Sequence, residues 1–263
     1  MKKYIFLSII LLAAIPLLVV FYYKFDPALL SKLSFYIDLA NPYVRIVRVD
    51  EGLRKEEVVE VVAKKLDWNE TDKGLFMNTH LALNNENPEG HYFPKTYLIN
   101  KDENPSVVGV TMFDEFSKQV DTIKKTKLKI INENTALKIA SIVQREAASR
   151  EDMNLISGII WNRIWNGMKL QVDATLQYAK GSVQDGWWGE VTPEDKKIKS
   201  PYNTYLHVGL PPGAIANPGL AAITAAYNPQ KTNCLFYLHD KYRKIHCAKT
   251  YEEHKKNIEW YLK

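Results

Sequence analysis

Hydrophobic and polar positions along the chain follow three kinds of pattern, and each predicts a different element. The first is an uninterrupted apolar run. Tyr4 to Tyr23 contains no charge, with Lys2 and Lys3 before it and Lys24 after it. About 20 apolar residues at roughly 1.5 Å each span a bilayer, whereas a cleavable signal carries an apolar stretch of only ~7–15 residues and a small-residue cleavage site. Here Ala13 and Ala14 lie inside the run, and bulky Phe21, Tyr22 and Tyr23 close it. The pattern predicts a retained single-pass anchor over residues 1–24 with its short basic tip in the cytoplasm. A mixed tether over 25–43 follows, and the rest of the chain is expected in the periplasm or outside the cell.

The second pattern is alternation. Val44 to Val49 alternates apolar and basic residues, as a half-buried strand does. Thr96 to Ile99 is a second short extended run, and Cys234–Leu238 with Arg243–Cys247 reads as a hairpin. The third pattern is helical spacing. Leu53 to Leu66 places Val58, Val59, Val62 and Leu66 along one side, and Thr71 to Leu83 follows as a second helix. Together with the flanking strands these form a small β-α-α-β unit. Further helices are expected over Met112–Lys127, Thr135–Ala148, from Asp152 or Asn154 to Asn166-Gly167, and over Leu220–Tyr227. Residues 200–219 form a proline-rich loop, which at this length is expected to build a surface. The fold class is α+β.

Composition narrows the function by exclusion. Apolar residues make up 46% and charged residues 25%, the range of ordinary globular proteins. The net charge of +5 is too mild and too evenly spread for nucleic-acid binding. Two cysteines are too few for a disulfide-dense scaffold or a four-thiolate zinc site. His207, His239, His246 and His254 lack metal-ligand spacing, no Gly-rich phosphate loop is visible, and Ser141 and Ser200 lack a nucleophile-elbow context. No metal or cofactor is implied.

The candidate chemistry sits on the helix over 135–148. Ile139, Ile142, Val143 and Glu146 share one face, so a carboxylate continues an apolar stripe. Burial disfavours the charged form and raises the pKa, which suits an acid that protonates a glycosidic oxygen. A buried glutamate paired with an arginine produces the same pattern. Arg163, at the edge of the next helix's apolar stripe, is the candidate partner of Glu146 or Asp173, with Asn162 beside it. Asp173 admits a two-carboxylate glycosidase. Tyr202, Tyr205, Trp187 and Trp188 suit stacking on sugar rings, with Asn203 and Gln171 bonding to hydroxyl or acetamido groups; ordinary packing is the alternative for each aromatic.

Five segments carry a family resemblance: Ala140-Ser-Ile-Val-Gln-Arg-Glu146-Ala, Ile160-Trp-Asn-Arg163, Gly167-Met-Lys-Leu-Gln171-Val-Asp173-Ala-Thr, Ser200-Pro-Tyr-Asn-Thr-Tyr205 and Gly209-Leu-Pro-Pro-Gly-Ala-Ile-Ala-Asn-Pro-Gly219. With Pro88-Glu-Gly-His-Tyr-Phe-Pro-Lys-Thr-Tyr97 upstream, the chain over roughly 44–263 resembles the MltG/YceG-like endolytic murein transglycosylases. The resemblance implies a LysM-like subdomain over 44–87 and a catalytic domain over 88–263. It implies an inner-membrane enzyme that cuts nascent peptidoglycan strands between MurNAc and GlcNAc, leaving 1,6-anhydro ends and terminating strand elongation, with a peptidoglycan synthase as partner. Glu146 matches the family's catalytic glutamate. Asn162, Arg163, Gln171, Asp173, Tyr202, Asn203 and Tyr205 fall at binding or supporting positions. A water-using muramidase and a non-catalytic peptidoglycan-binding scaffold are the rival readings.

Two departures bear on that transfer. The family motif often carries a second glutamate where this chain has Gln144. Aligning on Thr250, Tyr251, Glu253 and His254 also puts Ile245 at the family's hairpin histidine, leaving His246 one place off. A two-residue turn at Asp240-Lys241 would pair Cys234 with Cys247 at a position where side chains approach closely. The expectation is a cross-strand disulfide, which an exported location permits; two free thiols are the alternative.

Overall fold

A computed structural model describes residues 35–37, 39–84, 87–123, 131–184 and 186–263. The expected anchor over 1–24 and most of the tether lie outside the described residues. Among the described residues no helix is long and apolar enough to cross a membrane.

Strand β1 (Val44–Arg48) pairs antiparallel with β2 (Thr96–Asn100), in a register that sets Val44 opposite Asn100 and Arg48 opposite Thr96. Between them run α1 (Lys55–Leu66) and α2 (Glu70–Asn84). The strand alternation and the valine stripe converge on one core, where Val47, Val58, Val62, Phe76, Tyr97 and Met112 are buried. Helix α1 stops where Asp67 turns left-handed at φ 57°. The β-α-α-β order stands as read. The boundary expected between 87 and 88 nonetheless falls inside this core, because β1 needs β2 for its backbone bonds and α3 closes the far side with Val108 and Met112.

Helix α3 spans Pro105–Asp121, starting well before Met112. Its start is chemically clear: Asn104 accepts the Ser106 N–H at 2.9 Å, and proline at the first helical position has no N–H to lose.

The second core is helical. α4 (Glu133–Glu146) begins at Asn132, whose side chain accepts the Thr135 N–H at 2.8 Å. It packs against α5 (Met153–Trp165) and α7 (Leu220–Tyr227), burying Ile139, Ile142, Val143, Ile156, Ile160 and Ile223. α6 (Asp173–Lys180) packs against α4. Strands β3 (Phe236–His239) and β4 (Ile245–Ala248) form a separate hairpin, backed by α8 (Tyr251–Tyr261).

The hairpin corrects the expected register. Tyr237, not Cys234, stands opposite Cys247. The turn has three residues rather than two: Arg243 adopts φ 64°, its N–H donates to the Asp240 carbonyl at 2.8 Å, and the Asp240 N–H donates to Lys244 at 3.0 Å. Cys234 precedes β3 and still reaches Cys247, with Cα atoms 5.8 Å apart and a disulfide formed.

The two cores meet at a polar seam. Fully buried Asn217 accepts the Tyr92 N–H at 2.8 Å and donates to the Leu53 carbonyl at 3.0 Å and to Glu89 at 3.3 Å. Trp188 donates to Glu57 at 3.0 Å, and Arg54 lies over the rings of Tyr178 and Trp187 at 4.2 and 4.3 Å. The tryptophan pair therefore joins the units through these contacts.

Candidate active site

Glu146 is the last residue of α4. Its apolar stripe, Ile139, Ile142 and Val143, is fully buried, so the helix carries the carboxyl to the edge of the core, where a cleft of about 410 Å³ opens. Gln171, Asp173 and Lys196, the aromatics Tyr205, Phe236, Tyr237 and Tyr251, and His254 share that cleft.

Burial is the main influence on Glu146 and pushes its carboxyl above the usual carboxylate range. The Tyr237 hydroxyl, donating to Oε2 at 2.6 Å, pulls the other way. The Asp173 charge adds to the rise, while the Ala174 N–H and His239 oppose it. The net direction is upward, toward an acid that keeps its proton.

Arg163 does not neutralise Glu146 as an ion pair. Its guanidinium donates to the backbone carbonyls of Leu235 at 2.6 Å, Leu170 at 2.7 Å and Lys169 at 3.3 Å, and it lies over Phe236. It thus ties the entry to β3 to the segment before α6, and helps shape the cleft wall.

Asp173 opens α6 and accepts the Tyr205 hydroxyl at 2.5 Å, which fixes one of its oxygens. Gln171 lines the cleft from a left-handed backbone at φ 53°, a conformation that costs a non-glycine residue about 1–2 kcal/mol. The chain here is held by Thr204, whose carbonyl accepts the Gln171 N–H at 3.1 Å and whose hydroxyl accepts the Val172 N–H at 3.0 Å.

Three residues expected to bind substrate lie outside the cleft lining and contact the protein itself. Asn162 donates to the carbonyls of Thr232 and Cys234 at 2.8 and 3.0 Å. Asn203 is fully buried, donates to Ile198 at 2.8 Å and Lys196 at 3.1 Å, and accepts the Tyr205 N–H at 2.9 Å. Tyr202 packs on Tyr178, ring centroids 4.8 Å apart, away from the cleft lining. These are shape-setting contacts: the first places the hairpin and the second presents Tyr205. Gln144 is also structural, since its Oε1 accepts the Gly219 N–H at 3.0 Å.

Tyr237, Phe236, Lys196, Tyr251 and His254 belong to the cleft without having been read as site residues. For Tyr251 and His254 the available signal was the Thr250–Glu253 capping box, which starts α8 beside Phe236. A second cavity of about 320 Å³ lies at Asn87, Glu89, His91 and Pro212–Ala214, away from Glu146.

Residues 22–260 match the family model described as YceG-like. The chain is 36% identical over 177 residues to an endolytic murein transglycosylase of Bacillus subtilis (strain 168), covering 66% of this chain and 48% of that protein. It is 35% identical over 180 residues to an endolytic murein transglycosylase of Streptococcus pneumoniae (serotype 2, strain D39), covering 65% of this chain and 31% of that one. The chain thus spans about half or less of the length of these curated relatives. A 2.6 Å crystal structure of a yceG-like protein from Listeria monocytogenes superposes with a TM-score of 0.68 at 27% identity, covering 80% of this chain and 75% of that one.

Proposed function

The chain belongs to the YceG-like family, and from that premise we propose that it is an endolytic peptidoglycan transglycosylase with Glu146 as its acid. The observation that carries this reading is a cleft carboxyl raised by burial, while the nearby arginine is engaged by backbone carbonyls. A protonated carboxylic acid in a groove lined by aromatic and polar side chains suits cleavage of a glycosidic bond.

In the proposed reaction Glu146 gives its proton to the oxygen linking C1 of MurNAc to GlcNAc, and that bond breaks. Positive charge grows on the MurNAc ring, where the Asp173 carboxylate supplies an opposing charge. The MurNAc 6-hydroxyl then attacks C1, and the Glu146 carboxylate takes up the hydroxyl proton. The product is a 1,6-anhydro end, no water is consumed, and Glu146 regains the proton it lost. Holding the 6-hydroxyl against C1 makes closure intramolecular, an advantage worth up to about 7–11 kcal/mol.

The uncharged run Tyr4–Tyr23 supports an anchor in the inner membrane with the cleft on the outer side. The β-α-α-β unit supports a LysM-like glycan-holding role beside the cleft. A synthase partner, which would place the cleft beside growing strands, rests on the family resemblance.

The test is to digest purified glycan strands with the full chain and with Glu146→Gln, reading product ends by mass spectrometry. Anhydro ends from the native chain and none from the variant are expected. Reducing ends would mean hydrolysis by water, and undiminished cleavage by Glu146→Gln would remove the acid from this position.

A further inference from the structure

We propose that Tyr237 is the positioning residue of this site: by holding Oε2 of Glu146 as a hydrogen-bond acceptor, it leaves Oε1 as the oxygen that carries and delivers the proton. The inference rests on the transglycosylase reading and deepens it.

The geometry begins with the hairpin register. Tyr237 is in β3 and stands opposite Cys247, which is tied to Cys234 just before the strand. Asn162 and Arg163 hold the approach to the strand from α5 through the carbonyls of Cys234 and Leu235. The tyrosine is therefore fixed from both sides, and its hydroxyl meets Oε2 at 2.6 Å, the short distance of a strong bond. Burial and the nearby Glu146 charge keep the phenol protonated far above its ordinary range, so it remains a donor throughout a cycle.

A carboxylic acid presents one hydroxyl and one carbonyl oxygen, and only the hydroxyl oxygen can protonate a substrate. A fixed donor on Oε2 makes that oxygen the acceptor. The same bond strengthens as Glu146 becomes a carboxylate, which stabilises the state formed once the glycosidic oxygen is protonated. The remaining groups that bear on the carboxyl are Asp173 and the Ala174 N–H from α6, His239 from β3, Arg163 from α5, Arg145 from α4 and Tyr205 from the loop. Of these groups and Tyr237, it is the Tyr237 hydroxyl that makes a direct side-chain hydrogen bond to the carboxyl.

The experiment compares the full chain, Tyr237→Phe and Glu146→Gln on purified glycan strands between pH 5 and 9. The phenylalanine variant keeps the ring and loses one oxygen. The expected result is a fall in kcat of about 10–100-fold with KM within about twofold, and an alkaline limb displaced to higher pH, because the lost bond had favoured the carboxylate. A merely structural tyrosine would lower the melting temperature or raise KM without moving that limb. Native kcat together with an unmoved limb overturns the inference. In parallel, a ¹³C titration of the Glu146 carboxyl in native chain and Tyr237→Phe reads the coupling without turnover: an upward displacement supports the inference and an unchanged midpoint overturns it. If Glu146→Gln cleaves normally, the transglycosylase reading fails, and the titration still decides whether Tyr237 controls the carboxyl. If Glu146→Gln is dead and Tyr237→Phe is native in both measurements, only the inference about Tyr237 falls.

Discussion

The side-chain amide of Asn217 donates to the buried carboxyl of Glu89 at 3.3 Å, joining positions 128 residues apart at the seam between the two cores. Around the same carboxyl, the Lys55 N–H donates at 3.0 Å and the Tyr178 hydroxyl at 3.2 Å. Two units with separate apolar cores are thus joined through polar groups that have little access to water. Unpaired buried groups of this kind each cost about 1–3 kcal/mol.

Asn217→Leu removes the acceptor for the Tyr92 N–H and the donor to Leu53 and Glu89. The expected destabilisation is about 3–5 kcal/mol, read as a lower urea midpoint with the disulfide intact. A change below about 1 kcal/mol would mean that the seam is not set by this side chain.

Burial pushes the Glu89 carboxyl up to about 8, with the Glu56 charge adding to the rise and Lys55 and Arg54 opposing it. The folded value lies above the unfolded one, so the folded chain binds more protons across the interval between them. Stability therefore falls as pH rises from about 4.5 to about 8, by at most about 1.4 kcal/mol per pH unit from this group, and levels off above that. Glu89→Gln should erase this contribution: the difference in unfolding free energy between variant and native chain grows in the variant's favour up to pH 8. A difference that is flat with pH would contradict the assignment.

Asp173 and Tyr237 act on Glu146 with opposite signs. Asp173→Asn removes a negative charge that favours the protonated acid, so the alkaline limb of the proposed cleavage reaction should move to lower pH, and the rate at its plateau should fall if Asp173 opposes the positive charge of the proposed transition state. Displacement to higher pH would refute the electrostatic account.

Replacing both Cys234 and Cys247 by serine opens a link between positions 13 residues apart. A loss of about 2–4 kcal/mol is expected, together with reduced cleavage, since the same hairpin carries Tyr237. Thermal melting and product yield measured on the same sample would check both. Unchanged melting would show that the hairpin is held by α5 and α8 alone.

The helix that carries Glu146 was readable because its signal is local: Ile139, Ile142 and Val143 recur at helical spacing, and Glu146 continues them into the cleft. The β-α-α-β order was readable for the same reason, from the alternation of β1 and the valine stripe of α1. The hairpin register was not. It depends on Arg243 adopting a left-handed conformation, which its side chain does not announce, and the longer turn sets Tyr237 rather than Cys234 opposite Cys247. Tyr237 was hidden with it. Helix α6 has eight residues and no side-chain cap at Val172, so it leaves little trace in the sequence, whereas α3 and α8 carry capping signals at Asn104-Pro105 and Thr250. Asn162, Asn203 and Tyr202 show a further gap: a motif marks them without saying whether they face sugar or backbone, and the contacts observed are to the protein itself.

The exposed tip Lys241-Tyr242-Arg243 lies between the two half-cystines. Proteolytic nicking there would open a closed ring without releasing a fragment: β4 and α8 would stay tethered to the rest of the protein through sulfur, and the nick would become visible as two bands only after reduction.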